Sequence, residues 1–235
     1  MELKPERNYK DRLIRMLFME KKENLLSLYN AVNDTHYTNA EDLVVNTLDN
    51  AIYMNMKNDM SFIFDFYLNL YEHQASLNPN MPLRKLLYLS RLLQVLVKEK
   101  NLYGSRLVRI PTPRFVVFYN GVEEVLERQV LRLSEAFEKP MEEPEVELCV
   151  TVLNINPGNN RALMESCRLL KEYMLYVEKV RNYAKEAPIQ EAVDRAVTES
   201  IREGVLAEFL TKYRAEAIEV SIFEYDEEIH MRQVR

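Results

Sequence analysis

The stretch Asp59-Met-Ser-Phe-Ile-Phe-Asp-Phe-Tyr-Leu-Asn-Leu-Tyr-Glu-His-Gln74 sets the reading of the whole chain. Two short aromatic-rich runs, Met60–Phe64 and Leu68–Gln74, flank Asp65-Phe-Tyr67, which predicts a β-hairpin. Side chains alternate along a strand, so Glu72 and Gln74 project to one face and His73 to the other. Asp59 opens the first strand, and the hairpin brings it within reach of Glu72. Two carboxylates, a backbone carbonyl and several waters make a usual Mg²⁺ site, and such an ion activates water and neutralises charge on a phosphodiester. An acid followed about a dozen residues later by Glu-x-Gln also arises by chance, and a solvent-exposed polar edge fits the same spacing. Asp65 is a second-ranked alternative to Asp59, because an Asp beside a hairpin turn is favoured by turn geometry alone.

Outward from the hairpin, residues 9–32 carry apolar side chains at helical spacing and predict two short helices. Leu43–Leu48 reads as a strand, with a helical start at Asn39 as the rival. After Asn78-Pro-Asn-Met-Pro82 a helix is predicted over Leu83–Lys100, its buried stripe being Leu86, Leu89, Leu93, Leu96 and Val97. Phe115–Tyr119 is continuously apolar and reads as a strand covered on both faces, and Val130–Leu133 and Val146–Leu153 are further strands. From Asn159 onward the pattern is helical: Ala162 to Ala184, Pro188 to Arg202 and Val205 to Val220, with the tail from Ile222 ambiguous. The expected fold is α/β, a mixed sheet flanked by helices over residues 1–186, with a helical C-terminal region over 187–235.

Composition narrows the chemistry. Among 235 residues there are 4 Gly, 3 His and 2 Cys, with no two glycines placed for a dinucleotide or phosphate loop and no Cys/His spacing for zinc. Cys149 and Cys167 read as buried core thiols, and Glu227-Glu-Ile-His230 as a chance match to a di-iron motif. Unspaced cysteines suggest reduced thiols and a cytoplasmic location, and no run is apolar enough for a membrane span or a signal peptide. The net charge is −6, yet Arg84 to Arg114 carries eight cations against Glu99 alone. Such segregation suits a polyanion-binding face, although basic residues on a solvated helix are the commoner cause.

The strings Lys57-Asn-Asp-Met-Ser-Phe, Tyr71-Glu-His-Gln-Ala-Ser, Asn78-Pro-Asn-Met-Pro-Leu-Arg84 and Pro113-Arg-Phe-Val-Val-Phe-Tyr-Asn-Gly121 resemble the recombination-promoting nuclease family, whose members also carry a transposase label. That family belongs to the PD-(D/E)XK nuclease superfamily, and the similarity runs on through Leu153-Asn-Ile-Asn-Pro-Gly158 to Glu224-Tyr-Asp-Glu-Glu228. The resemblance implies a restriction-endonuclease-like core and a metal-dependent DNA endonuclease of low sequence specificity, linked to recombination or phage defence. In it Asp59 and Glu72 are the metal-binding acids, with Mg²⁺ as cofactor and Mn²⁺ as substitute, and the His73 carbonyl is a third ligand. Gln74 stands where the superfamily usually has a lysine; a neutral amide only hydrogen-bonds, which shifts electrostatic work to the metal. Asp11 is the nearest acid for an assisting role on the first helix. Arg84, Lys85 and Arg91 are expected to meet DNA phosphates, with an ion pair between Arg84 and Asp59 or Glu72 as the rival for Arg84. A homodimer is a further expectation, since related nucleases often cut duplex DNA as dimers. The competing function is a catalytically weak nuclease fold acting as a DNA-binding or oligomerising module.

Overall fold

The computed structural model describes residues 12–45 and 60–233, with side chains over 13–45 and 60–225. In chain order the elements are α1 (Arg12–Met19), α2 (Lys22–Asn33), β1 (Val44–Val45), β2 (Met60–Phe64), β3 (Tyr67–Gln74), α3 (Met81–Leu96), β4 (Thr112–Tyr119), β5 (Arg128–Arg132), β6 (Cys149–Asn154), α4 (Arg161–Ser166), α5 (Arg168–Tyr183), α6 (Ile189–Glu203), α7 (Ala207–Lys212) and α8 (Arg214–Gln233).

The hairpin is tight. β2 and β3 pair antiparallel from Phe64↔Tyr67 to Met60↔Tyr71, and Asp65 and Phe66 alone turn the chain. Both have positive φ, 47° and 63°, the backbone that matches the right-handed twist of the flanking strands. Asp65 tolerates it as a short polar residue and accepts a hydrogen bond from the Tyr37 hydroxyl at 2.6 Å. Ahead of the hairpin lie parts of both rival readings, while residues 46–48 of the expected strand lie outside the described residues. The Asn39 side chain caps a 3-10 turn over Ala40–Asp42, and β1 follows at the sheet edge.

A parallel neighbour needs a crossover, and α3 supplies it between β3 and β4. The two strands pair along their whole length, from Tyr67↔Thr112 to Gln74↔Tyr119. β6 continues the parallel set from Val116↔Thr151, and β5 closes the edge antiparallel to β6, giving the order β1-β2-β3-β4-β6-β5. Pro113 sits inside β4 without breaking a ladder. The Thr112 N–H is spent on Phe66, so position 113 turns its missing donor to the other side, where β6 has not yet begun.

The two faces of this mixed sheet are covered differently. One face carries α1, α2 and α4–α8 over a core that includes Phe62, Tyr71, Phe118, Leu153, Tyr173 and Val197. The other carries α3 and the segment around Leu133 and Leu148, over Leu68, Leu70, Val117 and Val152. Residues on both sides of position 186, such as Tyr173 and Val193, share the first core, so the division expected there does not separate two cores. The C-terminal helices break more often than their periodicity suggests, at Cys167 and at Tyr213, while the ambiguous tail continues α8. α6 stops where expected, because Gly204 takes the left-handed cap at φ 78°.

Two sequence expectations are corrected here. On α3 the buried residues are Met81, Pro82, Lys85, Tyr88 and Leu92, and Leu86, Leu89 and Leu96 lie only at the margin of the core. The true stripe is one position away from the leucine-rich one. Cys149 is exposed, because it begins β6 beyond the last pair with β4, whereas Cys167 is buried as expected. No described helix is long and apolar enough to cross a membrane.

Candidate active site

β3 builds the site by alternation. Leu68 and Leu70 point beneath α3 and Tyr71 points into the opposite core, so Glu72 and Gln74 follow the leucines while His73 follows Tyr71. The His73 ring lies edge-on to Tyr173, with Nε2 3.4 Å from the tyrosine hydroxyl, on the face away from Glu72. Backbone directions alternate as well. The carbonyls of Phe66 and Gln74 accept from the N–H groups of Thr112 on β4 and of Asn120 just after it, so the His73 carbonyl turns toward the β2 side. The last described pair there is Met60↔Tyr71, and Asp59, the residue before Met60 in the chain, lies outside the described residues, as does Asp11.

Glu72 is only 4% exposed and is enclosed by the start of α3. Its Oε2 lies 2.6 Å from Lys85 Nζ, and its Oε1 lies 3.2 Å from Arg84 Nη2 and 3.1 Å from Gln74 Nε2. Burial pushes the Glu72 carboxyl upward, but the Lys85 and Arg84 charges with their hydrogen bonds outweigh it and hold the group at about 2. Met81 Sδ closes the cluster at 2.9 Å from Gln74 Nε2 and 3.1 Å from Arg84 Nη1. Gln74 is 8% exposed; its Nε2 is engaged, yet its buried Oε1 has no hydrogen-bond partner among the described residues. An acceptor left in this state costs on the order of 1–3 kcal/mol. It is suited to a hydrogen-bond donor or a hard cation.

Lys85 departs from its expected role. It is 1% exposed and points at Glu72 rather than at solvent, so it is not placed to meet a phosphate in this conformation. A buried carboxylate needs a buried cation, and the series Met81, Lys85, Tyr88, Leu92 at helical spacing is the sequence signal for it. Arg84 forms the ion pair with Glu72 that was the rival to phosphate contact, while its side chain remains 40% exposed at the mouth of the site. Arg91, half-buried, lies two turns along α3, about 10 Å farther on. Asp65 is excluded from the cluster, because it turns the hairpin at the opposite end of β3, about 23 Å from Glu72 along the strand.

The basic stretch does not form one face. Arg84 and Lys85 neutralise Glu72, and Arg114 lies at the far end of β4, its guanidinium 3.5 Å over the Tyr67 ring and bonded to Asn33. Lys98, Lys100, Arg106 and Arg109 sit in the exposed segment after α3, a 16-residue helix about 24 Å long.

Sequence reasoning missed a polar network at the carboxyl ends of β4 and β6, the edge where open α/β sheets bind ligands. Arg181 donates to the Asn120 carbonyl at 2.6 Å, and Asn156 Nδ2 donates to the Gly121 carbonyl at 2.9 Å. Asn120 Oδ1 is buried without a hydrogen-bond partner among the described residues. Gly121 is required there, since a Cβ would fall 2.1 Å from the Ala75 carbonyl oxygen. The signal was present in Asn120-Gly121 and in Asn154-Ile-Asn156, but only the parallel strand ends bring them beside Gln74.

The donor set suits a hard cation in kind: a carboxylate, an unpartnered amide oxygen and a carbonyl directed to the β2 side. Both Glu72 oxygens are paired, Oε1 with Arg84 and Gln74 and Oε2 with Lys85, so a cation reaches the carboxylate either at the second lone pair of Oε2 or by displacing one of these groups. Among the described residues no group of three or more His, Cys, Asp or Glu side chains gathers to hold a metal. Comparison of the chain with protein-family models, with curated proteins and with solved structures finds no match.

Proposed function

We propose that this chain is a metal-dependent endodeoxyribonuclease that hydrolyses DNA phosphodiester bonds at the carboxyl end of β3. The observation that carries the reading is the buried Glu72–Gln74 pair on one face of β3, with an acceptor that no described residue satisfies and a half-exposed arginine beside it. Glu72 holds Mg²⁺ or Mn²⁺ together with Asp59 and the His73 carbonyl. A cation there neutralises phosphate charge and activates water. Gln74 Oε1 accepts from the attacking water and fixes its direction. Arg84 leaves Glu72 to bind a backbone phosphate, because its exposed side chain can swing out while Lys85 stays buried. Lys85 keeps a fixed positive charge within the site, a service that the neutral Gln74 does not provide. Low sequence specificity, a part in recombination or phage defence and a cytoplasmic location belong to the same proposal.

The direct test is nicking of supercoiled plasmid with Mg²⁺ or Mn²⁺. Activity is expected in the intact chain and lost in Asp59→Ala and Glu72→Gln, both checked for native circular dichroism. Nicking that persists in both variants overturns the reading.

A second reading is favoured by the full pairing of Glu72: a catalytically silent fold that binds DNA or oligomerises. It predicts DNA retention without metal and no Mn²⁺ binding heat in calorimetry.

A further inference from the structure

The face of the sheet that carries α3 is unfinished in a particular way. On the opposite side, among the described side chains of α1, α2 and α4–α8, Leu175 is the single exposed large hydrophobe. On α3 itself Leu83, Leu87 and Val95 are exposed, and more follow in the two long segments that leave this face. The first, residues 97–111, carries Lys98, Lys100, Arg106 and Arg109 against Glu99, a net +3, interleaved with exposed Leu102, Tyr103 and Leu107. The second, residues 138–146, carries Glu138, Glu142, Glu143 and Glu145 against Lys139, a net −3, interleaved with exposed Met141 and Val146.

Both segments are anchored in the same core. Leu96 precedes the first, while Phe137 and Leu148 flank the second, all in the cluster beneath α3. The chain just beyond each segment, Pro113 after the first and Glu147 and Leu148 after the second, lines one cleft of about 610 Å³ together with Leu89. Despite this, no basic residue of the first segment forms an ion pair with an acid of the second among the described residues. Opposite charges embedded in exposed apolar surface, on one face and not paired with each other among the described residues, make a surface complementary to itself. Under a two-fold axis the basic segment of each copy meets the acidic segment of the other, and Val95 on the last turn of α3 is covered between them, while Arg84 on its first turn stays open. Duplex DNA fits this face less well, because the acidic segment would oppose its phosphates and Leu102 and Leu107 offer it nothing.

We infer that the α3 face is a homodimer interface, closed by residues 97–111 of each copy against residues 138–146 of its partner. The inference stands independently of nuclease activity. Analytical ultracentrifugation of the intact chain at low salt is expected to give the mass of two chains, with dimerisation weakened at high salt. Reversing the basic segment (Lys98→Glu, Lys100→Glu, Arg106→Glu, Arg109→Glu) leaves like charges facing each other and is expected to weaken the dimer more than tenfold. Reversing the acidic segment (Glu138→Lys, Glu142→Lys, Glu143→Lys, Glu145→Lys) is expected to do the same. An equimolar mixture of the two variants restores opposite charges at both contacts and recovers the dimer. An intact chain that stays monomeric at tens of micromolar overturns the inference, and that result needs no variant to fold. A basic-segment variant that keeps the mass of two chains but loses DNA retention overturns it too, assigning the segment to nucleic acid.

Discussion

The two faces of β3 show what one strand can do when its neighbours differ. Toward the seven-helix side, His73 and Asn69 are enclosed in a continuous core in which tyrosine hydroxyls supply polar contacts, Tyr173 to His73 and Tyr176 to Ser221. Toward α3, Glu72 and Gln74 meet a single helix that brings two cations and a methionine sulfur. Residues adjacent in sequence thus occupy a closed interior lined by aromatic rings and a charged, partly open one. A neutral hydrogen bond contributes on the order of 1 kcal/mol, whereas an unpaired buried charge costs several. Polar groups on the α3 face therefore carry far larger energies per residue, and the reactive arrangement lies there.

The sharpest way to break this contrast is to remove one charge of the buried pair. Lys85→Met strands Glu72 without its closest cation and is expected to cost about 3–5 kcal/mol in urea unfolding. Glu72→Gln combined with Lys85→Met should recover most of that loss, and a double-mutant cycle showing simple additivity would deny the coupling.

Acid should act through the same pair. The folded-state pKa of Glu72, about 2, lies below its ordinary value of 4.5, so the pair's stabilisation is complete above that ordinary value and declines as pH falls from about 4.5 toward 2. In the double variant this part of the acid dependence is expected to vanish, measured as urea midpoints between pH 5 and pH 2.

On the opposite face the effects should be smaller and silent toward DNA. Tyr176→Phe removes a 2.7 Å hydrogen bond to buried Ser221 and is expected to cost about 1–2 kcal/mol with unchanged nicking. His73→Phe changes a ring that points away from Glu72, so nicking should survive it, because the carbonyl is retained. A loss of nicking with native stability would place the ring in the chemistry.

The smallest stability change is expected at Arg84→Ala, under about 1 kcal/mol, since its ion pair is partly solvated and Lys85 remains. Its signature is instead weaker DNA binding across all sequences, with the salt slope of binding reduced by about 1.

Much of this was legible in the sequence. Two aromatic-rich runs on either side of Asp65-Phe-Tyr67 predict the hairpin, whose turn proves one residue shorter because Tyr67 joins β3, and the continuous apolar run at Phe115–Tyr119 marks a strand covered on both faces. The phase of α3 was not legible. Leu86, Leu89, Leu93 and Leu96 form a valid helical stripe, and so do Met81, Lys85, Tyr88 and Leu92. Periodicity alone favours the leucines, because it takes no account of the carboxylate waiting on β3. The eight cations between Arg84 and Arg114 likewise looked like one patch, because sequence proximity does not register that a long helix and a strand carry their ends apart.

The sequence by itself determined which side chains share a face of β3, because alternation is set by backbone geometry within a few residues. It placed Glu72 and Gln74 together and His73 apart. Only the tertiary structure decided that Glu72 is buried, that Lys85 and Arg84 neutralise it, and that Asp65 lies at the far end of the strand. Those outcomes depend on how α3 docks on the sheet, a contact between elements whose rotation is fixed by the fit of many side chains and by the cost of leaving one charge alone.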